Sequence, residues 1–222
     1  MSVGAATRIM LRPVGNPLPL GFLALAGATL LVSGLQLEWL APTDGQDVAL
    51  ILIAFVFPLQ LASSVFGFLA RDVVAGTGMG VLAGTWLSIA LVTLTASPPG
   101  SVSDALGLFL LLAALAMLVP AAAASTGKLV PALVLATTAL RFATTGLYQL
   151  TEGDGWKTAA GVIGLVLCAL AVYAALAMAL EDARRETVLP LGRRADGRSA
   201  VGGGLEDQVA RLEREAGVRE QL

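Results

Sequence analysis

The chain has 222 residues, of which 56% are apolar and 14% are charged, and its formal net charge is −2. An ordinary soluble domain has about 25% charged residues, so one soluble core of this size would leave too much apolar surface in water. The chain contains no histidine and one cysteine, Cys168, which excludes an intrachain disulfide, a Cys/His zinc site and acid–base chemistry by histidine. The near-neutral charge provides no basic surface for nucleic acid. Together these features predict a polytopic membrane protein without metal or cofactor, and they favour transport over catalysis.

Six apolar stretches are long enough to cross the hydrocarbon layer, since a helical span needs about 20 residues. Lipid offers the backbone no hydrogen-bond partners and the stretches lack strand alternation, so each is predicted to be a helix. The expected fold is therefore all-α, with six transmembrane helices. They are predicted at roughly residues 19–36, 48–70, 74–96, 105–124, 129–150 and 158–180.

The basic residues are distributed unevenly between the two ends of these spans. The N-terminal segment, the second and fourth loops and the C-terminal tail hold twelve of them, whereas the opposite loops hold one, Lys157, beside six acids. The positive-inside rule then predicts a multi-pass protein of the plasma (inner) membrane with both termini in the cytoplasm. The first apolar run, preceded by Arg8 and Arg12, also resembles a signal peptide, but its cleavage would leave five spans and upset this asymmetry.

The composition divides the chain into three segments. Residues 1–15 form a cytoplasmic N-terminal segment, residues 16–192 form the transmembrane domain, and residues 193–222 form a charged cytoplasmic tail. In the tail, glycines at 202–204 precede apolar residues at helical spacing. This pattern favours a short solvated helix or a flexible segment, with association of tails around an oligomer as the alternative.

A proline-rich motif, Asn16-Pro17-Leu18-Pro19-Leu20-Gly21, stands immediately before the first span. Its two prolines remove backbone donors and hold the preceding residues extended, which can leave nearby carbonyl groups without partners. Broken backbone at membrane depth is tolerated where it lines a cavity, so Asn16, Pro17 and Pro19 are candidates for a substrate path. The alternative is a plain helix start, with proline in the first turn and Asn16 as the cap.

The fifth span contains Arg141 near the middle of its length, and an intramembrane charge indicates a functional site by default. No aspartate or glutamate lies inside a predicted span, so the chain offers this arginine no obvious counter-ion. Thr138, Thr145 and Tyr148 share its helical face, which makes a cationic, hydroxyl-lined stripe suited to a passing carboxylate. The alternative is an arginine bound to carbonyl groups at a helix or subunit contact.

The second and third spans carry weaker signals. In the second, Pro58 is expected to bend the helix and aim Gln60 inward, although polar residues in membranes often only bond between helices. In the third, Gly76, Gly80 and Gly84 are four residues apart, which is typical of close helix packing within or between subunits. A dinucleotide-binding glycine motif is excluded, because these glycines lie in an apolar span with no strand before them.

Several segments, in the same order along the chain, resemble the acetate uptake transporter family, the succinate–acetate permeases. The proline-rich motif at residue 16 is the first of them. The others are Phe57-Pro58-Leu59-Gln60, Thr85-Trp86-Leu87-Ser88, Ala160-Gly161-Val162-Ile163-Gly164-Leu165 and Thr187-Val188-Leu189-Pro190-Leu191-Gly192. Each piece alone is weak, but their order and spacing over residues 16–192 are specific.

The resemblance implies a homo-oligomer, a hexamer in known members, in which each subunit passes small monocarboxylates such as acetate, with succinate as a further candidate. Transport would follow either a channel or a proton-linked permease mechanism. The resemblance places the narrowest part of the pore at Leu25, Leu82 and Thr138, which departs from the family's usual bulky apolar set and implies a wider or more polar gate. The glutamate that the family often carries near the end of the second helix is Gly67 here.

Two other functions stay open at this point. One is export of ammonia or ammonium, proposed for some relatives, although Arg141 would oppose a cation. The other is a non-transporting scaffold or sensor that works through its tail. An enzyme is not expected, because no nucleophile–base pair or metal cluster is present. The expected partners are a small carboxylate, the lipid bilayer and further copies of the chain, without nucleic acid.

Overall fold

The computed structural model describes residues 15–184 and 186–194, and in this part of the chain it consists of six long helices without a strand. Arg8, Arg12 and the glycines at 202–204 lie outside the described residues. All six helices are long and apolar enough to cross a membrane, which confirms the predicted number and type of element. They are α1 (Leu18–Gln36), α2 (Pro42–Leu69), α3 (Val73–Thr95), α4 (Asp104–Ser125), α5 (Leu129–Thr151) and α6 (Asp154–Arg184).

Helix α2 begins six residues earlier than predicted because a polar first turn precedes its apolar body. A 3₁₀ turn over Pro42–Asp44 continues directly into an α-helical segment, Gly45–Ile51. The Asp44 carboxylate accepts a hydrogen bond of 2.9 Å from the backbone N–H of Ala41. Asp44 and Asp47 both lie at the positive end of the helix dipole, where a negative charge stabilises the helix.

The middle of α2 is irregular just before its proline. Residues Leu52–Val56 form a π-helical turn, and a regular α-helix resumes over Phe57–Leu69. Pro58 has no N–H to donate to the carbonyl group four residues earlier, and its ring would clash with that carbonyl in a regular helix. The wider π turn accommodates the proline, so the irregularity predicted at Pro58 is a widened turn.

Close approach of α2 and α3 depends on glycine. A Cβ atom added at Gly67 would lie 2.7 Å from the backbone nitrogen of Gly76, and one at Gly80 would lie 2.9 Å from Ser64 Oγ. The Ser64 hydroxyl donates to the Gly76 carbonyl at 2.7 Å and ties the two helices together. Gly84, by contrast, is exposed and has no atom within 4 Å of its Cβ position, so it makes no such contact within the chain.

After α6 the chain returns along residues 187–194, here called the strap, to the start of α5. The backbone N–H groups of Leu129 and Val130 donate to the carbonyl groups of Gly192 and Leu191 at 3.1 and 3.2 Å. Such bonds satisfy donors that the first turn of a helix leaves without partners. The N–H of Arg194 in turn donates to Gly127, so the strap continues past residue 192, where the sequence ended the transmembrane domain.

Candidate functional site

Arg141 lies in the interior, 1% exposed, where α5 meets α1 and α6. Its Nη1 donates to Ser33 Oγ and to the Ala160 carbonyl, both at 2.9 Å. Its Nη2 donates to the Thr29 carbonyl and to Gln36 Oε1, both at 3.4 Å. All four acceptors are uncharged, so these bonds solvate the guanidinium group without neutralising its charge.

Two aromatic rings complete the surroundings of Arg141. Its Cζ atom lies 6.0 Å from the centroid of the Trp86 ring, within the range of a cation–π contact. Trp86 in turn meets Phe142 edge-to-face, with ring centroids 5.7 Å apart. Moving an unpaired charge out of water costs several kcal/mol, and hydrogen bonds together with a ring face offset part of that cost.

Gly164 on α6 makes room for the guanidinium group. A Cβ atom at this position would overlap Arg141 Nη1 and crowd Ser33 Oγ, so no residue with a side chain fits here without displacing the arginine. Sequence reasoning used Gly164 only as part of a family motif and missed this role. The signal was weak, because a glycine among alanines and leucines looks like an ordinary small packing residue.

A cavity of about 150 Å³ lies beside Arg141, at the end of the bundle formed by the loops after α1, α3 and α5. We call it the Arg141 cavity. Arg141, Thr145 and Tyr148, which the sequence placed on one stripe of the fifth span, all line it. Its lining contains no aspartate or glutamate, and the buried Nε1 of Trp86 has no hydrogen-bond partner within the described ranges. The cavity thus presents a positive charge and an unpartnered N–H without a carboxylate in its lining.

A second cation, Lys157, lines the same cavity but is paired. Its Nζ donates to Glu38 Oε1 at 2.7 Å, a contact between the ends of α6 and α1. This hydrogen bond lowers the pKa of Glu38. The attraction is therefore lost as pH falls through the lowered pKa of Glu38. Arg141 is the cation of this cavity that faces no carboxylate.

A second cavity, of about 180 Å³, lies at the opposite end of the bundle and is lined by Lys128 and Asp72 among apolar residues. We call it the Lys128 cavity. Burial lowers the pKa of Lys128, and the nearby positive charge of Arg193 acts in the same direction, while Glu181 and Asp72 oppose the shift. Arg193 itself forms an ion pair with Glu181, which fastens the strap to α6 beside this cavity.

Leu25, Leu82 and Thr138, here called the barrier, are fully buried, and each lies along its helix between residues that line the two cavities. Each of α1, α3 and α5 contributes lining residues to both cavities and carries one of the three between them. On the side of the Lys128 cavity the nearest lining residues along these helices are Phe22, Met79 and Leu135. On the side of the Arg141 cavity they are Val32, Trp86 and Arg141. The Thr138 hydroxyl donates to the Val134 carbonyl of its own helix at 2.8 Å, so its proton is already engaged.

The proline-rich motif adopts the simpler of its two predicted geometries. The helix starts at Leu18 with Pro17 as its N-cap and Pro19 in its first turn, one residue later than the predicted cap at Asn16, whose Oδ1 accepts from the Leu18 N–H at 3.1 Å. The Pro17 carbonyl accepts from Ser63 Oγ at 3.1 Å, so the expectation of an unpartnered carbonyl is wrong there: a contact from α2 satisfies it. The motif lies at the rim of the Lys128 cavity, since Leu18 lines that cavity.

Gln60 behaves differently from the other polar residues of α2. It is fully buried, and neither its Nε2 nor its Oε1 has a hydrogen-bond partner among the residues described. Its neighbours on the same helical face, Ser63 and Ser64, are both hydrogen-bonded to backbone carbonyl groups. Gln60 thus points inward, as expected from the sequence, and its amide is buried without a partner among the described residues.

These features define a class of protein: a helical, multi-pass membrane protein in which a buried arginine lies beside one of two cavities at opposite ends of the bundle. More specifically, the chain belongs to the GPR1/FUN34/yaaH family, whose model matches residues 1–191. This confirms the resemblance drawn from the motifs.

Among solved structures the chain is similar to the bacterial acetate channel SatP. The two sequences are 24% identical, the match covers 81% of this chain and 99% of that chain, and the TM-score is 0.72. A comparison with curated proteins finds no match. The structural likeness shows the shared fold.

Replacing Gly164 with alanine is expected to displace the Arg141 guanidinium group and to destabilise the protein by about 3–5 kcal/mol, as when a buried charge loses its partners. Thermal unfolding in detergent checks the stability. In a protein whose other tryptophans, Trp39 and Trp156, are replaced by phenylalanine, the emission of Trp86 checks the displacement.

Gly155→Ala, on the same helix, is the matched control, because no atom lies within 4 Å of its Cβ position. It is expected to keep both the unfolding temperature and the Trp86 emission. Unchanged stability and emission in Gly164→Ala would contradict the contact between Gly164 and Arg141.

Proposed function

We propose that this chain passes small monocarboxylates, with acetate as the reference substrate, across the plasma membrane along a path within each subunit. The observation that carries the proposal is the Arg141 cavity, where a buried guanidinium group and an unpartnered tryptophan N–H meet no protein carboxylate. Membership of the GPR1/FUN34/yaaH family and the likeness in fold to a bacterial acetate channel support it.

In this proposal Arg141 acts mainly through its electric potential. Its two bonds from Nη1 are short and hold it in place, whereas the two from Nη2, at 3.4 Å, are at the long limit for hydrogen bonds. A positive charge in a low-dielectric wall attracts an anion more strongly than the same charge in water. A carboxylate in the cavity would supply the missing counter-ion, and Trp86 Nε1, Thr145 and Tyr148 would offer it donors.

The proposed path runs from the Arg141 cavity, past Leu25, Leu82 and Thr138, into the Lys128 cavity. It leaves beside the proline-rich motif of residues 16–19. The excess of basic residues at this end favours a cytoplasmic location for the Lys128 cavity and for both termini. As in the sequence-based expectation, the subunits would form a homo-oligomer, a hexamer by resemblance.

The charge at position 141 is expected to control acetate flux. In vesicles containing purified protein, Arg141→Gln should lower the flux by about tenfold, equivalent to about 1.4 kcal/mol of lost stabilisation of the anion. Arg141→Lys keeps a charge at the same place and should retain a larger share of the flux. Radiolabelled acetate uptake measures both.

Size-exclusion chromatography verifies that both variants keep the assembly of the wild-type protein. Equal flux in the wild type and in correctly assembled Arg141→Gln would contradict the role of the arginine. An ammonium current that is insensitive to acetate, or a wild-type protein that passes no acid, would contradict the proposed function as a whole.

The barrier between the cavities is expected to set the size of the acid that passes. Leu25→Ala removes apolar atoms from it and should raise the flux of butyrate relative to acetate several-fold, at a cost in stability of about 2–5 kcal/mol. Competing uptake of the two labelled acids measures the ratio. Leu30→Ala is the control on the same helix, since Leu30 is 46% exposed on the outer surface. A ratio unchanged in Leu25→Ala would place the barrier elsewhere.

A further inference from the structure

The lining of the Arg141 cavity contains two charged residues, Arg141 and Lys157, and only Lys157 is paired with a carboxylate. Arg141 is 1% exposed and bonds to uncharged acceptors, whereas the Lys157 side chain is 22% exposed and its Nζ lies 2.7 Å from Glu38 Oε1. Glu38 does not line the cavity, and its side chain is 78% exposed. The carboxylate that compensates Lys157 therefore reaches it from the solvent side.

The backbone of Glu38 has a conformation that residues with a side chain rarely adopt. Its φ is 61°, which lies in the left-handed region. Helix α1 ends in a Schellman turn, because the N–H of Trp39 donates to the Gly34 carbonyl at 2.8 Å and that of Glu38 to the Leu35 carbonyl at 3.3 Å. Glu38 takes the position of this turn where glycine is usual, so the turn itself does not favour a glutamate.

The stability of the helix ends does not explain the glutamate either. An ion pair with an exposed member contributes little to folding, since water screens it and both side chains lose freedom. Close packing already fixes the end of α1 against α6, because a Cβ atom at Gly161 would lie 2.6 Å from Leu37 Cγ. What Glu38 adds at this position is a negative charge beside Lys157.

The two cations of the cavity are close enough to act on one small ligand. Arg141 Nη1 donates to the Ala160 carbonyl at 2.9 Å, and Ala160 follows Lys157 by three residues on α6. Three residues rise by about 4.5 Å along a helix, so the Lys157 backbone lies about one turn from the carbonyl that binds the guanidinium group. A ligand with two carboxylates could face both cations if Lys157 were not already paired.

We propose that Glu38 is a specificity-determining residue that restricts the Arg141 cavity to anions with a single negative charge. By pairing with Lys157, it leaves Arg141 as the unpaired cation of the cavity, which matches one carboxylate. A dicarboxylate would bring its second charge beside the Glu38 carboxylate, and like charges repel. The inference rests on the proposed function and deepens it, because it names the residue that selects monocarboxylates over dicarboxylates.

Acetate and malonate are matched probes of this selection. Malonate is acetate with a second carboxylate, and at neutral pH it carries two negative charges. Each is added outside vesicles of purified protein as an inhibitor of labelled acetate uptake, and the ratio of the two half-inhibitory concentrations is measured. Glu38→Gln frees Lys157 and should shift this ratio about tenfold in favour of malonate, as expected for one more cation near a partly solvated carboxylate.

Glu152→Gln is the matched control for the loss of a negative charge. Glu152 follows α5 at the same end of the bundle, and its φ of 54° places it in the same left-handed region as Glu38. The partner of Lys157 is Glu38, so this substitution removes an equal charge without freeing the lysine. It should leave the inhibition ratio unchanged.

A double variant separates the effect of charge from an effect on the fold. Glu38→Gln combined with Lys157→Gln removes both members of the pair and again leaves Arg141 as the unpaired cation, as in the wild type. The inhibition ratio should then return to the wild-type value. A Glu38 that only stabilised the end of α1 would give no such return.

The outcomes distinguish this inference from the function on which it rests. An unchanged ratio in Glu38→Gln, an equal shift in Glu152→Gln, or a shift that persists in the double variant would each overturn the role of Glu38 while leaving acetate transport in place. A wild-type protein whose vesicles take up no more acetate than protein-free vesicles would overturn the proposed function, and the role of Glu38 with it.

Discussion

The interior of this membrane protein is organised around one uncompensated charge. Arg141 lies in the apolar body and is held by two carbonyl groups, a hydroxyl and an amide oxygen from α1 and α6. These acceptors make the charge tolerable without cancelling it, and they bring the first and last spans against the fifth. Gly164 follows from the same requirement, because the guanidinium group occupies the space where a side chain would be. No carboxylate among the described residues contacts the guanidinium group, and the proposed function assigns that place to the substrate anion.

Of the two cavities, only one has Arg141 in its lining, so the two ends of the bundle differ in charge. In the proposed path, an anion on one side of the barrier would meet Arg141 and the unpartnered N–H of Trp86, and on the other side it would meet Lys128 beside Asp72, a partly compensated and weaker attraction. Between them lie apolar side chains and a threonine whose hydroxyl is already bonded. In the proposed path, a charged solute would lose part of its solvation between the two cavities.

Much of this arrangement was predictable because the bilayer imposes simple rules. Span length and hydropathy predicted all six helices, and a lone midspan charge without an acid drew attention to Arg141, which the structure buries among uncharged acceptors. Pro58 similarly pointed to Gln60. What escaped prediction depends on contacts between distant parts of the chain: Gly164 matters only because α6 packs beside α5. The proline-rich motif was open to two geometries because the Ser63 hydroxyl that satisfies its carbonyl comes from another helix.

The central claim is that the Arg141 cavity binds a carboxylate, and the most direct test is crystallographic. Crystals of the purified protein soaked in bromoacetate would locate the bromine by its anomalous scattering. The account predicts a peak in the Arg141 cavity, within reach of the guanidinium group and of Trp86 Nε1, and its loss in Arg141→Gln. Peaks confined to the lipid-facing surface or to contacts between molecules, with an empty Arg141 cavity at saturating bromoacetate, would contradict it.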